Sequence, residues 1–184
     1  MSFLKIGGFG LEVCALAIFC LMVVAPPGRA HDKRLSDAFE KKRQEFLAII
    51  EKMRECAKAC SDCQRECDDC GTWCSARLLH VSPEVAQNIL KLQKNCQDCA
   101  TCCAAASQII SRGSEGGPYS GLIAKCSSTA CGRCARVCES FPDYQLMDDR
   151  ISKAVSKEMI ERTKQCAEEC RKCEKALKFL ENRN

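Results

Sequence analysis

Six cysteines between residues 56 and 74 have the residue type and the spacing to bind metal. They follow one another at steps of three or four residues, which places them on one face of a helix. Neighbouring positions on such a face lie about 5–6 Å apart, so successive sulfurs can converge on one small ion. The stretch from Cys56 to Cys74 therefore predicts a helix whose core-facing side is lined with thiols.

Rows of cysteines with this spacing recur in three later segments of the chain. They are Cys96, Cys99 and Cys103, then Cys131, Cys134 and Cys138, then Cys166, Cys170 and Cys173. Four segments of this kind predict four helices that turn their thiols toward one interior. On a helical wheel Cys102 lies beside the second row and Cys126 points away from the third. Cys102 is thus a flanking candidate ligand, and Cys126 is a weaker one.

Four helices follow from the positions of the breaks in the pattern. A helix start is indicated by Ser82-Pro83-Glu84, a loop by the glycines and proline of residues 112–118, and a further break by Phe141-Pro142-Asp143. The predicted helices span about residues 33–76, 83–111, 119–140 and 147–182. In the first half of the first helix, Phe39, Phe46, Ile49 and Met53 occupy core spacing and are interpreted as packing residues.

The predicted fold class is all-α, an antiparallel four-helix bundle with a cysteine-lined core. No strand-like alternation of any length occurs. Short connections between consecutive helices favour the up-and-down arrangement. Residues 31–184 are predicted to form this one domain.

Residues 1–30 resemble a secretory signal peptide that is cleaved before His31. Lys5 is followed by an apolar run from Val13 to Ala25, and small residues stand at Gly28 and Ala30. The run is shorter than the ~20 residues that span a bilayer, so a retained anchor is the weaker interpretation. We therefore expect an exported protein, periplasmic or otherwise extracytoplasmic, with no stable membrane insertion after cleavage.

Thiolates are soft ligands that select Cu(I), zinc or iron–sulfur clusters. Zinc and iron–sulfur sites usually gather their cysteines from loops around one compact centre. A continuous row on helices fits better with several Cu(I) ions that share sulfurs, which predicts copper storage. The alternative is an exported helical protein stapled by disulfides that acts as an interaction or structural module, since the chain has 19 cysteines.

Other functional classes find little support in the sequence. No histidine lies near a pair of carboxylates, and there is no phosphate-binding loop and no nucleophile with an adjacent base, so we do not expect an enzyme. The net charge of +4 is spread over a mixed surface, which does not predict nucleic-acid binding.

The four cysteine motifs resemble the copper storage proteins, a family of cysteine-rich four-helix bundles. The motifs are CAKACSDCQREC, QKNCQDCATCC, CGRCARVC and CAEECRKC. The resemblance implies many Cu(I) ions held inside the bundle, and copper buffering outside the cytoplasm by exported members. The resemblance also implies that the copper ligands are Cys56, Cys60, Cys63, Cys67, Cys70, Cys74, Cys96, Cys99, Cys103, Cys131, Cys134, Cys138, Cys166, Cys170 and Cys173.

The resemblance also bears on metal entry, capacity and partners. Family members often carry histidines near one end of the bundle, where metal is suggested to enter, and His80 is the candidate here. Ala124, Ser127, Thr163 and Leu177 stand where further cysteines would continue the rows, which implies a lower capacity. The expected partners are copper ions and a copper donor or acceptor protein, and self-association is left open.

Overall fold

The computed structural model describes residues 33–113, 119–145 and 153–181. The predicted signal peptide, its cleavage site and the expected helical residues 147–152 and 182 lie outside the described residues.

The described residues form four helices and no strand. The helices are α1 (Lys33–Arg77), α2 (Pro83–Ser111), α3 (Tyr119–Gln145) and α4 (Lys153–Glu181), and a 3₁₀ turn, Leu78–His80, follows α1. They pack together around a common interior, which confirms the all-helical prediction. Within these ranges, no helix has the length and apolar character needed to cross a membrane.

The start of α2 shows how the local sequence positions a helix. Ser82 has an extended backbone, and its side-chain oxygen accepts a hydrogen bond from the backbone N–H of Val85 at 3.4 Å. Pro83 occupies the first turn, where its missing N–H is not needed, and Glu84 places a negative charge at the positive end of the helix. The predicted helix start is therefore confirmed.

Helix α3 extends further than the sequence pattern predicts. Phe141-Pro142-Asp143 was expected to end it, yet α3 continues through Pro142 to Gln145. Phe141 supplies the physical reason, because its ring is almost fully buried in the core. Burying a ring of this size contributes enough to hold the chain helical despite the proline.

The described residues fall into two units, residues 33–44 and residues 45–181 with their gaps. In the described part of the first unit, residues 33–44, the Glu40 carboxylate accepts hydrogen bonds from Arg43 and Gln44. Phe39 is 65% exposed. The interpretation of Phe39 as a packing residue is wrong for the described structure.

The second unit begins with a further difference from the predicted core. Phe46 is 54% exposed and Ile49 is only half-buried, whereas the half-buried Met53 packs against the core as predicted. Phe46 lines an open groove with Ile110 and Leu180, which lie close to the ends of α2 and α4. Among the described residues, no further turn of either helix lies beyond these positions to cover Phe46.

The hydrocarbon part of the core lies on the three later helices. Its largest fully buried side chains are Ile89, Leu92, Ile110, Phe141, Met159 and Leu177. From Cys56 to Cys74 the core-facing positions of α1 are cysteines, each at most 2% exposed. The thiols therefore pack as small apolar side chains between hydrocarbon residues.

The end of α1 is fastened to α4 by Trp73 and Arg77. The indole Nε1 of Trp73 donates to the carboxylate of Glu158 at 3.0 Å, and the guanidinium of Arg77 reaches the other oxygen of that carboxylate at 3.2 Å. Arg77 also lies over the Trp73 ring, 5.3 Å from its centroid. These contacts position the last two turns of α1, which carry Cys70 and Cys74.

Because apolar residues on three helices hold the core, the reduced, metal-free protein should be folded and helical. In that form Leu92→Ala should lower the free energy of unfolding by about 2–5 kcal/mol, since Leu92 is fully buried. Leu90→Ala on the same helix is the matched control, because Leu90 is 51% exposed, and should change stability by less than about 0.5 kcal/mol. Urea denaturation followed by circular dichroism measures both. A coil spectrum without metal, or equal losses in the two variants, would contradict this account of the core.

Candidate metal centre

Cysteines from all four helices meet inside the second unit. The three-and-four spacing turns every predicted core-facing thiol inward, and the later rows are at most 1% exposed. All seventeen cysteines of the described residues are free thiols. Where core sulfurs of different helices touch, they lie between 3.4 and 4.0 Å apart, in contact but not bonded.

Four groups of four buried thiols have the geometry of metal sites. Within each group all the sulfurs lie within 4.8 Å of one another. The groups are Cys63/Cys103/Cys131/Cys173, Cys63/Cys67/Cys99/Cys170, Cys67/Cys134/Cys166/Cys170 and Cys96/Cys134/Cys138/Cys166. Each group shares one or two cysteines with the next, so the four form one continuous row.

Cys63 and Cys67 connect this row. The sulfur of Cys63 lies 3.8 Å from that of Cys99 and 3.6 Å from that of Cys170. The sulfur of Cys67 lies 3.9 Å from that of Cys134 and 3.6 Å from that of Cys170. An ion held near either residue therefore has thiols from other helices within reach.

Beyond the four groups the row continues at both ends. The thiol of Cys173 contacts Cys60 at 3.6 Å, and the thiol of Cys56 donates instead to the backbone carbonyl of Ala176 at 3.1 Å. At the opposite end Cys70 interacts with Cys138, Cys166, Cys74 and Cys96. Cys56, Cys60, Cys70 and Cys74 are buried, but each lies outside the groups of four.

Three predicted candidates lie away from the row. Cys102 is half-buried and Cys126 is exposed, as the helical wheel predicts. His80 is exposed in the 3₁₀ turn after α1. None of the three belongs to a group of potential ligands found among the described residues.

The thiols influence one another's protonation. The hydrogen bond with Cys131 lowers the pKa of Cys103 to about 2, and the same contact raises the pKa of Cys131. A hydrogen bond with Cys138 likewise lowers the pKa of Cys70 to about 5. A cation that binds these thiols as thiolates must displace their protons.

The composition of the groups determines what they can bind. They contain sulfur ligands alone, with no histidine and no carboxylate. Such sites suit soft ions and offer no general base beside a nucleophile. All eleven cysteines in the groups come from the set predicted on the sequence, although their role as ligands stays a prediction. Sequence reasoning did not reveal which cysteines of different helices would meet, because that depends on how the helices pack.

A family model described as copper storage protein matches residues 43–181. This match covers more than half of the chain and includes every cysteine of the four groups. No curated protein and no solved structure matches the chain significantly.

The burial of the thiols predicts how they react with an alkylating reagent under native, anaerobic conditions. Cys126 should react first because it is exposed, and Cys102 more slowly because it is half-buried. The remaining fifteen should react only after denaturation. Mass spectrometry of peptides from protein quenched at intervals measures the order. Early modification of Cys63 or Cys67 would contradict the described packing.

Proposed function

The chain belongs to the copper storage protein family, and on this premise we propose that it stores several Cu(I) ions on its core thiolates. The four groups would form the centre of the store, and the buried cysteines at either end would extend it. The observation that carries the proposal is the sharing of cysteines between successive groups.

Shared thiols favour ions that need few ligands. Zinc requires four ligands for a closed tetrahedral site, and at most two of the four groups can be filled without using one cysteine twice. Cu(I) is satisfied by two or three thiolates, so neighbouring ions can occupy the whole row. The groups of four would also allow structural zinc binding. The number of ions bound per chain therefore distinguishes copper storage from zinc binding.

The charge of the site points the same way. Four thiolates keep two negative charges whether they bind one Zn²⁺ ion or two Cu⁺ ions, and the buried side chains of the described residues include no basic group to balance them. Burying uncompensated charge is costly. When thiolates are shared between ions, four Cu⁺ ions can bind the same four thiolates and leave no net charge.

The disulfide module remains the alternative function. In its favour is the predicted export of the chain, which would bring the thiols into an oxidising compartment. Against it, a sulfur such as that of Cys63 has several neighbours at nearly equal distances, so specific pairing would be difficult to achieve.

We infer an antiparallel bundle in an exported protein. The order of the thiol contacts supports the orientation, because Cys103 meets Cys131 whereas the earlier Cys96 meets the later Cys134. Likewise Cys60 meets Cys173, and Cys67 meets the earlier Cys166. The pattern of residues 1–30 supports export and an extracytoplasmic store that exchanges copper with a donor or acceptor protein. The family is one of storage proteins, which supports a non-enzymatic role.

The deciding experiment compares the binding capacity for Cu(I) and Zn²⁺. Reduced protein is titrated anaerobically with each ion against a competing chelator, and bound metal is counted after gel filtration. Copper should saturate above the two ions that non-overlapping groups of four could hold, and zinc should saturate at or below two. Copper saturation at one or two ions would refute the storage function.

The position of a thiol in the row should decide its contribution to capacity. Cys63 and Cys67 each belong to two groups, and together they take part in three of the four. Replacing both with serine should therefore lower the Cu(I) count by roughly a third to a half. The matched control replaces Cys102 and Cys126 with serine. This variant also loses two thiols, but both residues lie outside the groups. It should lower the count far less, and Cys126→Ser alone should change it little. Equal losses from the two double variants would show that copper is not held along this row.

A further inference from the structure

A groove between α3 and α4 leads toward the row of thiols. Its cavity volume is about 510 Å³, and it is lined by Cys138 and Pro142 of α3 and by Ile160, Thr163 and Ala167 of α4. We call it the lateral groove. A cavity of this volume can admit a small molecule.

Pro142 provides a local cause for an opening at this position. Proline lacks a backbone N–H, and its ring crowds the carbonyl four residues earlier, which here belongs to Cys138. The helical hydrogen bond to that carbonyl is therefore missing, and the backbone of α3 cannot close tightly beside Cys138.

Cys138 belongs to both the groove and the metal site. It contributes to the groove lining, and its sulfur is a member of the group with Cys96, Cys134 and Cys166. It is 1% exposed, so a small opening of the groove would bring solvent to this group. The apolar groove beside Phe46 is larger, about 630 Å³, but no cysteine lines it.

Charged side chains of both signs surround the mouth of the lateral groove. Lys164, Arg171 and Lys172 are basic, and Glu139 and Glu168 are acidic. Two further carboxylates, Glu174 and Glu169, pair with Arg171 and Lys172, so the mouth has no basic excess. The guanidinium of Arg171 crosses from α4 to α3 and binds both carboxylate oxygens of Glu139, at 2.9 and 2.7 Å. This ion pair lowers the pKa of Glu139 and ties the two helices together at the mouth.

We propose that the lateral groove is the entrance through which a small thiol delivers Cu(I) to Cys138. The proposal rests on the storage function. A thiol is a soft ligand that suits Cu(I), the groove is large enough for a small complex, and the Arg171–Glu139 pair restricts the opening. Cys138 receives the ion and passes it to the neighbouring thiols of its group.

The transfer is a ligand exchange without oxidation or reduction. A Cu(I) ion bound to two small thiolates carries one negative charge. Two protein thiols replace them, each forming one Cu–S bond as one bond to a small thiolate breaks. The two protein protons leave on the small thiols, so copper stays Cu(I) and the negative charge passes to the protein site.

The test measures how fast the full protein takes up Cu(I) from a glutathione complex, followed by stopped-flow ultraviolet absorbance. Lys164→Trp and Ile160→Trp should each obstruct the groove and slow loading by about tenfold, with the final copper count unchanged. Lys175→Trp is the matched control, since Lys175 lies exposed on the same helix and does not line the groove. It should load at the unaltered rate.

Glu139→Gln tests the same entrance with a variant that should raise the loading rate. The substitution removes the charge that pairs with Arg171, so loading should become severalfold faster. Circular dichroism confirms that each variant is folded. If the folded tryptophan variants and Glu139→Gln all load at the rate of Lys175→Trp, the entrance proposal is overturned.

A competing entrance is tested with His80→Ala. If His80→Ala slows loading while the groove variants do not, metal enters beside the 3₁₀ turn instead and the groove proposal fails.

Failure of the entrance and failure of the storage function give different results. A low final copper count in the unaltered protein refutes storage. A full count with unaltered loading rates in the groove variants refutes the entrance alone.

Discussion

Contacts between buried sulfurs determine how the four helices pack from Cys56 to Cys74. A cysteine side chain is small, so the helices must approach closely before the thiols of different helices touch. Each such contact contributes little dispersion energy, but the sulfurs of Cys63 and Cys67 touch several neighbours each. Bulkier residues beyond the row, including Ile110 and Phe141, supply the hydrocarbon burial that the thiols cannot. The protein thus retains a packed core while keeping its interior available for ligation.

The same arrangement controls the charge inside the core. Among the described residues, the buried side chains include no basic group that could balance the charge of a thiolate. Burial without a counter-charge therefore opposes deprotonation of the thiols until a cation arrives. A metal ion supplies the missing positive charge, and its binding is therefore coupled to proton release. This coupling arises because many thiols are packed together without basic side chains beside them.

Much of the fold and the set of inward-facing thiols could be predicted from the sequence, because helical periodicity directly reports which residues share a face. Cys126 was assigned outside its row on this basis, and it is exposed. Periodicity gives no information on whether a partner helix reaches far enough to cover a face, and so the exposure of Phe46 was not predicted. Nor does a proline always end a helix, since the burial of Phe141 outweighs the local preference at Pro142. The pairing of thiols across helices depends on packing that no single segment encodes.

The three later helices, rather than α1, limit the length of the row. α1 carries six cysteines, whereas each later row supplies three core-facing ones. Toward Cys56 the positions that would continue the later rows are apolar or hydroxyl-bearing, as at Ser127 and Leu177, which are fully buried. The thiol of Cys56 consequently donates a hydrogen bond to the backbone carbonyl of Ala176 and not to another thiol. Toward Cys74, Thr163 satisfies its hydroxyl within its own helix and offers no sulfur. The groups of four therefore lie in the middle of the row, where all four helices contribute thiols.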